Sequence, residues 1–265
     1  MAVIKYKNSI LNIKRLVAYG CSYTYGSELA DSDFIENADA LKRQMGLLEF
    51  NNKYAHMLAQ PELIAAQQAR AWPAILSKRI KADCINRAAG GTSLENSLMR
   101  IRQDIINKVL NKDDLVVLGI TSMSRWQAIN NKGYLEQLMP YVMDSRNSTH
   151  HAMLQVYTDI KLYETHLTHL EQISFELDQA HIPFLGFPMI EEMPPIYDKI
   201  MGEINDPEFR QIIKWRTKRL HNNFHYKWNL ALGRYASEDK QLGGLHWNHE
   251  VHRDFAKAIA AEIKI

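Results

Sequence analysis

Cysteine is nearly missing from this chain: Cys21 and Cys84 are the only two in 265 residues. Two are too few for a disulfide framework, and thiols of the cytosol stay reduced, so both are read as free and the protein as cytoplasmic. An excess of charge of one sign is missing too. Lysine and arginine total 32 against 30 acidic residues, a net charge of +2, which gives no electrostatic case for a nucleic-acid or membrane partner. The opening stretch MAVIKYKNSILNIKR is interrupted by lysines and has no continuous apolar core, so it is neither a signal peptide nor a membrane-spanning helix. Internal repeats, low-complexity tracts and linkers are absent as well. What is present is 46% hydrophobic residues, enough for a full core in one domain spanning 1–265.

Short β-rich runs alternate with longer helical patterns. LVAYG (16–20), DCIN (83–86), DLVVLGI (114–120) and IPFLGF (182–187) are brief, apolar and bounded by turn residues or charge, as buried strands are. Helical spacing fills WPAILSKRI (72–80), LENSLMRIRQDIINKVLN (94–111), the region 152–180 and FAKAIAAEI (255–263). Strands separated by helices predict right-handed crossovers and a mainly parallel sheet with helices on both faces, a three-layer α/β/α sandwich. Residues 27–71 break the rhythm and read as a lid or helical insertion. MPPIYDKIMGEINDPEFR (193–210), with three prolines, reads as a second irregular excursion.

In an open parallel sheet, ligands bind beyond the carboxyl ends of the strands, so the residues directly after each apolar run carry the chemistry. GCSYTYG follows the first run, NRAAGGTS (86–93) the second and TSMSR (121–125) the third, while GGLHWNHEVH (243–252) precedes the last helix. Ser22 after a strand-ending glycine suits a nucleophile, whose hydroxyl needs a neighbouring imidazole to take its proton. The bland reading of Ser22 is a helix N-cap. Gly90 and Gly91 read equally as a tight turn or as backbone that approaches a ligand closely. Thr121 also reads as a cap, and Arg125 as a surface ion-pairing residue.

Eleven histidines invite a metal reading, because His246, His249 and His252, His166 and His169, and His221 and His225 repeat at intervals of three or four. No HExxH or CxxC accompanies them, so no metal and no cofactor is expected. YGCSYTYGS lacks the lysine of a phosphate loop, and no dinucleotide fingerprint occurs.

Taken together, these segments resemble the blocks of the SGNH (GDSL) hydrolase superfamily. GCSYTYG is similar to the nucleophile block in its GCS(F/Y)T form, Gly90-Gly91 to the second block, LVVLGITSMSR to the third and GGLHWNHEVH to the fifth, with Trp72-Pro73 upstream where members often carry that pair. The matches fall in family order across residues 16–263. The resemblance implies a flavodoxin-like sheet and a serine hydrolase of esterase or O-deacetylase type. Ser22 and His246 would be catalytic, and the Ser22, Gly90 and Gly91 amides with the Thr121 hydroxyl would form the oxyanion hole. Tyr23 and Arg125 would contact substrate, and a small-molecule or carbohydrate ester is the implied partner. His252 matches a noncatalytic histidine of the fifth block. Two departures stand out. Gly243 occupies the place of the Asp three residues before the histidine, and Thr121 or Ser122 that of the third block's Asn. A backbone carbonyl of the 239–244 loop or a water is therefore expected on the second nitrogen of His246, ahead of Glu250 or Asp239. The alternative function is a fold of this type with decayed chemistry, used for binding or structure.

Overall fold

A computed structural model describes residues 2–123, 126–129, 135–138, 158–190, 193–242 and 246–263. The chain opens with an antiparallel hairpin, β1 (Ala2–Tyr6) and β2 (Ser9–Ile13). The lysine-interrupted opening thus alternates: Ala2 and Ile4 are buried while Val3 and Lys5 are exposed, the period of a strand with one face on a core. Next come β3 (Arg15–Tyr19), the short helix α1 (Ser22–Tyr25) and five insertion helices. These are α2 (Asp31–Phe34), α3 (Ala38–Met45), α4 (Leu47–Lys53), α5 (Ala55–Leu58) and α6 (Pro61–Arg70). Then α7 (Trp72–Ile80), β4 (Asp83–Asn86), α8 (Leu94–Ile106) and β5 (Asp114–Ile120) follow, with a small hairpin of β6 (Trp126–Ile129) and β7 (Leu135–Leu138). The chain closes with α9 (Asp159–Gln179), β8 (Phe184–Pro188), α10 (Met193–Glu203), α11 (Pro207–His221) and α12 (His249–Ile263). Among the described residues no helix is long and apolar enough to cross a membrane.

The main sheet is four-stranded and parallel, in the order β4-β3-β5-β8, with Leu16 opposite Leu115 and Val17 opposite Val116. Every residue of β5 is buried, as a strand covered on both faces requires. Alternation divides its side chains between two cores. Val17, Tyr19, Val116 and Leu118 face the layer of α8, α9 and α11; Leu16, Ala18, Leu115 and Val117 face the layer of α7 and α12. The expected mainly parallel α/β/α arrangement is what the chain forms.

Helix boundaries follow capping chemistry. Ser93 and Asp206 accept the N–H of Asn96 and Phe209, at 3.2 and 2.8 Å, to start α8 and α11. The irregular excursion expected at 193–210 is a correction: it is the whole of α10 and the start of α11. Pro194, Pro195 and Pro207 all fall in a first helical turn, where a missing N–H removes no intrahelical bond, so they begin helices instead of breaking them. The 94–111 pattern stops at Ile106, and Lys108 then turns through a left-handed φ of 57°. Residues 27–71 are largely helical, and Ile35, Ala38 and Phe50 give them a small core of their own.

Candidate active site

The turn after β3 is fixed by close packing. Gly20 takes φ 142°, and a Cβ there would lie 2.5 Å from Thr24 Oγ1 and 2.8 Å from the Gly119 carbonyl, so only glycine fits. The chain then enters α1 with Cys21 as N-cap and Ser22 as first helical residue. The capping reading of Ser22 fails, since no side chain caps this helix. A second loop is tied to the same turn: Thr92 Oγ1 and the Ala89 amide donate to the Gly20 carbonyl at 2.8 and 3.2 Å, and Asn86 Nδ2 donates to the Thr24 carbonyl at 3.0 Å. Those bonds hold Gly90 and Gly91 beside Ser22. Gly91 uses its freedom, with φ 72°.

Ser22, Gly90, Gly91 and His246 line one cavity of about 380 Å³, together with Tyr25, Ser27, Glu28, Asp31 and further insertion residues. Among the described residues, the amides of Ser22, Gly90 and Gly91 donate to no protein acceptor. They are therefore available to a developing oxyanion. No hydrogen bond joins the Ser22 hydroxyl to His246 among the described residues.

His246 directly precedes Trp247, which bridges to Gln241 just before α12. Its Nδ1 meets Glu28 Oε1 at 2.5 Å, which corrects the expectation of a backbone carbonyl or water. Neither sequence candidate reaches the ring. Glu250 is exposed in the first turn of α12, its amide on Asn248 Oδ1, and Asp239 is exposed and held below the usual carboxylate range by a hydrogen bond with Ser237. Gly243 itself lies outside the described residues. Glu28 lies six residues after Ser22, on the wall of the same cavity that His246 lines, and its carboxylate reaches the ring there.

Glu28 is buried and belongs to a charge cluster. Lys42, fully buried on α3, places Nζ 3.3 Å from Glu28 Oε2 and 2.7 Å from Asp31 Oδ2, with Asp39 at 3.7 Å. Gln67 on α6 donates to Asp31 at 2.5 Å. Buried charges survive only with such partners, and losing one partner is costly. The Glu28 backbone has φ 71°, a left-handed conformation that costs a residue with a Cβ about 1–2 kcal/mol.

The other expected site residues divide. Tyr23 is not in the cavity lining; its ring packs on those of His246 and Trp247, each at 4.9 Å, so it supports the imidazole. Thr121 directly follows the wholly buried β5 and stays buried, outside the cavity lining. Arg125 lies outside the described residues. The sequence reading missed Glu28, and only its place six residues beyond Ser22 could have drawn attention to it.

Two of the other histidines, His252 and His166, are held in the interior. His252 is buried, and its Nδ1 accepts the Trp72 amide at 3.1 Å, so that the first orphan donor of α7 is satisfied. Burial pushes the His252 ring down to about 3, and does the same to His166. No cluster of three or more His, Cys, Asp or Glu suits a metal ion among the described residues.

No family model matches the chain, and no curated protein does. Solved structures with a similar course include a protein assigned to the G-D-S-L lipolytic family from Desulfitobacterium hafniense DCB-2, 12% identical, covering 94% of this chain and 98% of its own, with a TM-score of 0.48. An α/β hydrolase from the Lake Arreo metagenome is 14% identical over 95% of both chains at 0.47. An acetylxylan esterase from Geobacillus stearothermophilus is 11% identical, covering 96% and 95%, at 0.46. These neighbours are named as a lipolytic protein, a hydrolase and an esterase.

Proposed function

We propose that this chain is a serine hydrolase of esterase type, with Ser22 as nucleophile and His246 as base. The observation that carries this reading is the joint placement of Ser22, an imidazole held at its far nitrogen, and three uncommitted backbone amides on one cavity. In the reaction, His246 Nε2 takes the Ser22 proton as the oxygen attacks an ester carbonyl, and the Ser22, Gly90 and Gly91 amides stabilise the oxyanion. The imidazolium then returns its proton to the leaving alcohol, and water repeats the sequence on the acyl-enzyme. The cavity admits a small acyl group, and Tyr25, Asn51 and Gln67 offer polar contacts to an alcohol or sugar portion. A small-molecule or carbohydrate ester is the substrate class proposed. The decayed-scaffold reading drew on the missing Asp at Gly243 and on the missing Asn at Thr121 or Ser122; a carboxylate at His246 Nδ1 weakens the first ground and leaves the second.

The test is labelling with a fluorophosphonate together with hydrolysis of short-chain aryl esters. Wild type is expected to label and turn over, while Ser22→Ala and His246→Ala each lose at least about 10⁴-fold, as removal of triad members does elsewhere. Neither labelling nor hydrolysis by wild type would replace the reading with the binding scaffold.

A further inference from the structure

We infer that Glu28 is the positioning acid of His246, supplied from the nucleophile's own side of the cavity by the start of the helical insertion, in place of an acid at Gly243. The inference rests on the esterase reading for its kinetic part and on geometry for the rest. An imidazole that serves as base through Nε2 needs a proton acceptor at Nδ1, which fixes the tautomer and balances the positive ring as it forms. Glu28 Oε1 is that acceptor, at 2.5 Å.

Three further observations separate this contact from an incidental ion pair. The carboxylate is almost wholly removed from solvent, at 5% side-chain exposure, and the imidazole nearly so at 14%, so the interaction is poorly screened. The backbone at Glu28 is held in a left-handed conformation, and such strain persists only where surrounding structure over-determines it. The second carboxylate oxygen faces the buried Lys42 ammonium, which also grips Asp31. Lys42 therefore countercharges Glu28 and ties the orientation of His246 to α3, making the insertion part of the catalytic frame. Tyr23 closes the arrangement from the ring's face.

The experiment compares wild type with Glu28→Gln and Glu28→Asp, with Glu250→Gln and Asp239→Asn as controls. Glu28→Gln is expected to lower kcat by about 10²-fold to 10⁴-fold, the scale seen when a triad loses its acid, with KM within about 3-fold. Glu28→Asp should regain at least about 10-fold over the Gln variant, because aspartate keeps the charge and tolerates left-handed backbone. Both controls should stay within about 3-fold of wild type. Nitrogen NMR of the neutral His246 ring is the second readout: the proton should sit on Nδ1 in wild type, and the tautomers should mix in Glu28→Gln. Glu28→Gln within about 5-fold of wild type, with an unchanged tautomer, overturns the inference while leaving the esterase reading intact. An inactive wild type overturns that reading and with it the kinetic role, and an Nδ1 proton dependent on Glu28 would then support the positioning contact alone. If Glu28→Gln does not fold, an Nε2-protonated neutral ring in wild type overturns it equally.

Discussion

The two walls of the cavity are built by different physics. On the sheet side, Ser22, Gly90 and Gly91 are placed by an apolar core, glycine turns and hydrogen bonds from Thr92, Ala89 and Asn86 to the Gly20 and Thr24 carbonyls. On the insertion side, Glu28 and Asp31 are placed by a buried ammonium, beside a small separate cluster in which Ile35, Ala38 and Phe50 are the buried apolar residues among those described. The first wall depends on shape, so it fails through steric change. The second depends on charge balance, so it fails when one partner goes.

The sharpest way to break that comparison is Lys42→Met. It keeps the length and apolar stem but leaves Glu28 and Asp31 buried without their cation, an expected loss of about 3–5 kcal/mol and a fall in Tm of roughly 10 °C. A melting curve superimposable on wild type would show that the insertion wall does not depend on charge. On the sheet side, Gly119→Ala introduces a Cβ 1.8 Å from Thr24 Oγ1, and overpacking of this kind costs about 1–3 kcal/mol. Adding Thr24→Ala removes that oxygen and should restore most of the loss in denaturant titrations. Failure of the double variant to recover would mean that the wall is not governed by steric fit.

The most gradual effect, spread over several pH units, concerns acid. His252 and His166 are buried and held neutral at about 3, far below the 6.5 of a histidine in the unfolded chain. The unfolded state therefore binds more protons below pH 6.5, and stability that is complete above that value is lost progressively as pH falls toward 3. Each pH unit in that window removes up to about 1.4 kcal/mol per histidine. His252→Gln keeps an acceptor for the Trp72 amide and removes the titration, so its stability should decline less steeply between pH 6 and 4. Parallel decline in both proteins would assign the acid sensitivity elsewhere.

The sheet wall was legible in the sequence because its causes are local. β5 and α7 fall at the expected residues, 114–120 and 72–80, since a continuous apolar run and a Trp-Pro start are short-range signals. Ser22 and the glycines follow from what must come after such strands. The insertion wall was not legible. A lysine at 42 looks like any solvated lysine, and nothing in local periodicity says that it is buried against residues 28 and 31. Tyr23 and Thr121 were placed in the site by resemblance to the family's blocks, which says nothing of side-chain direction: one turns onto the imidazole's face and the other is buried outside the cavity lining. The three prolines of 194–207 misled for a related reason, because proline marks a helix start as readily as a helix stop.

The contact between Glu28 and His246 joins positions 218 residues apart in sequence. Loop closure over such a span is unfavourable until the intervening elements have docked, and non-local pairings of this kind are the slow ones in folding. Helices and the parallel sheet can thus be in place during refolding while the His246 ring is still unheld. Recovery of the cavity, timed against recovery of secondary structure, is therefore expected to be the later of the two, and the clock for it is the meeting of Glu28 with His246.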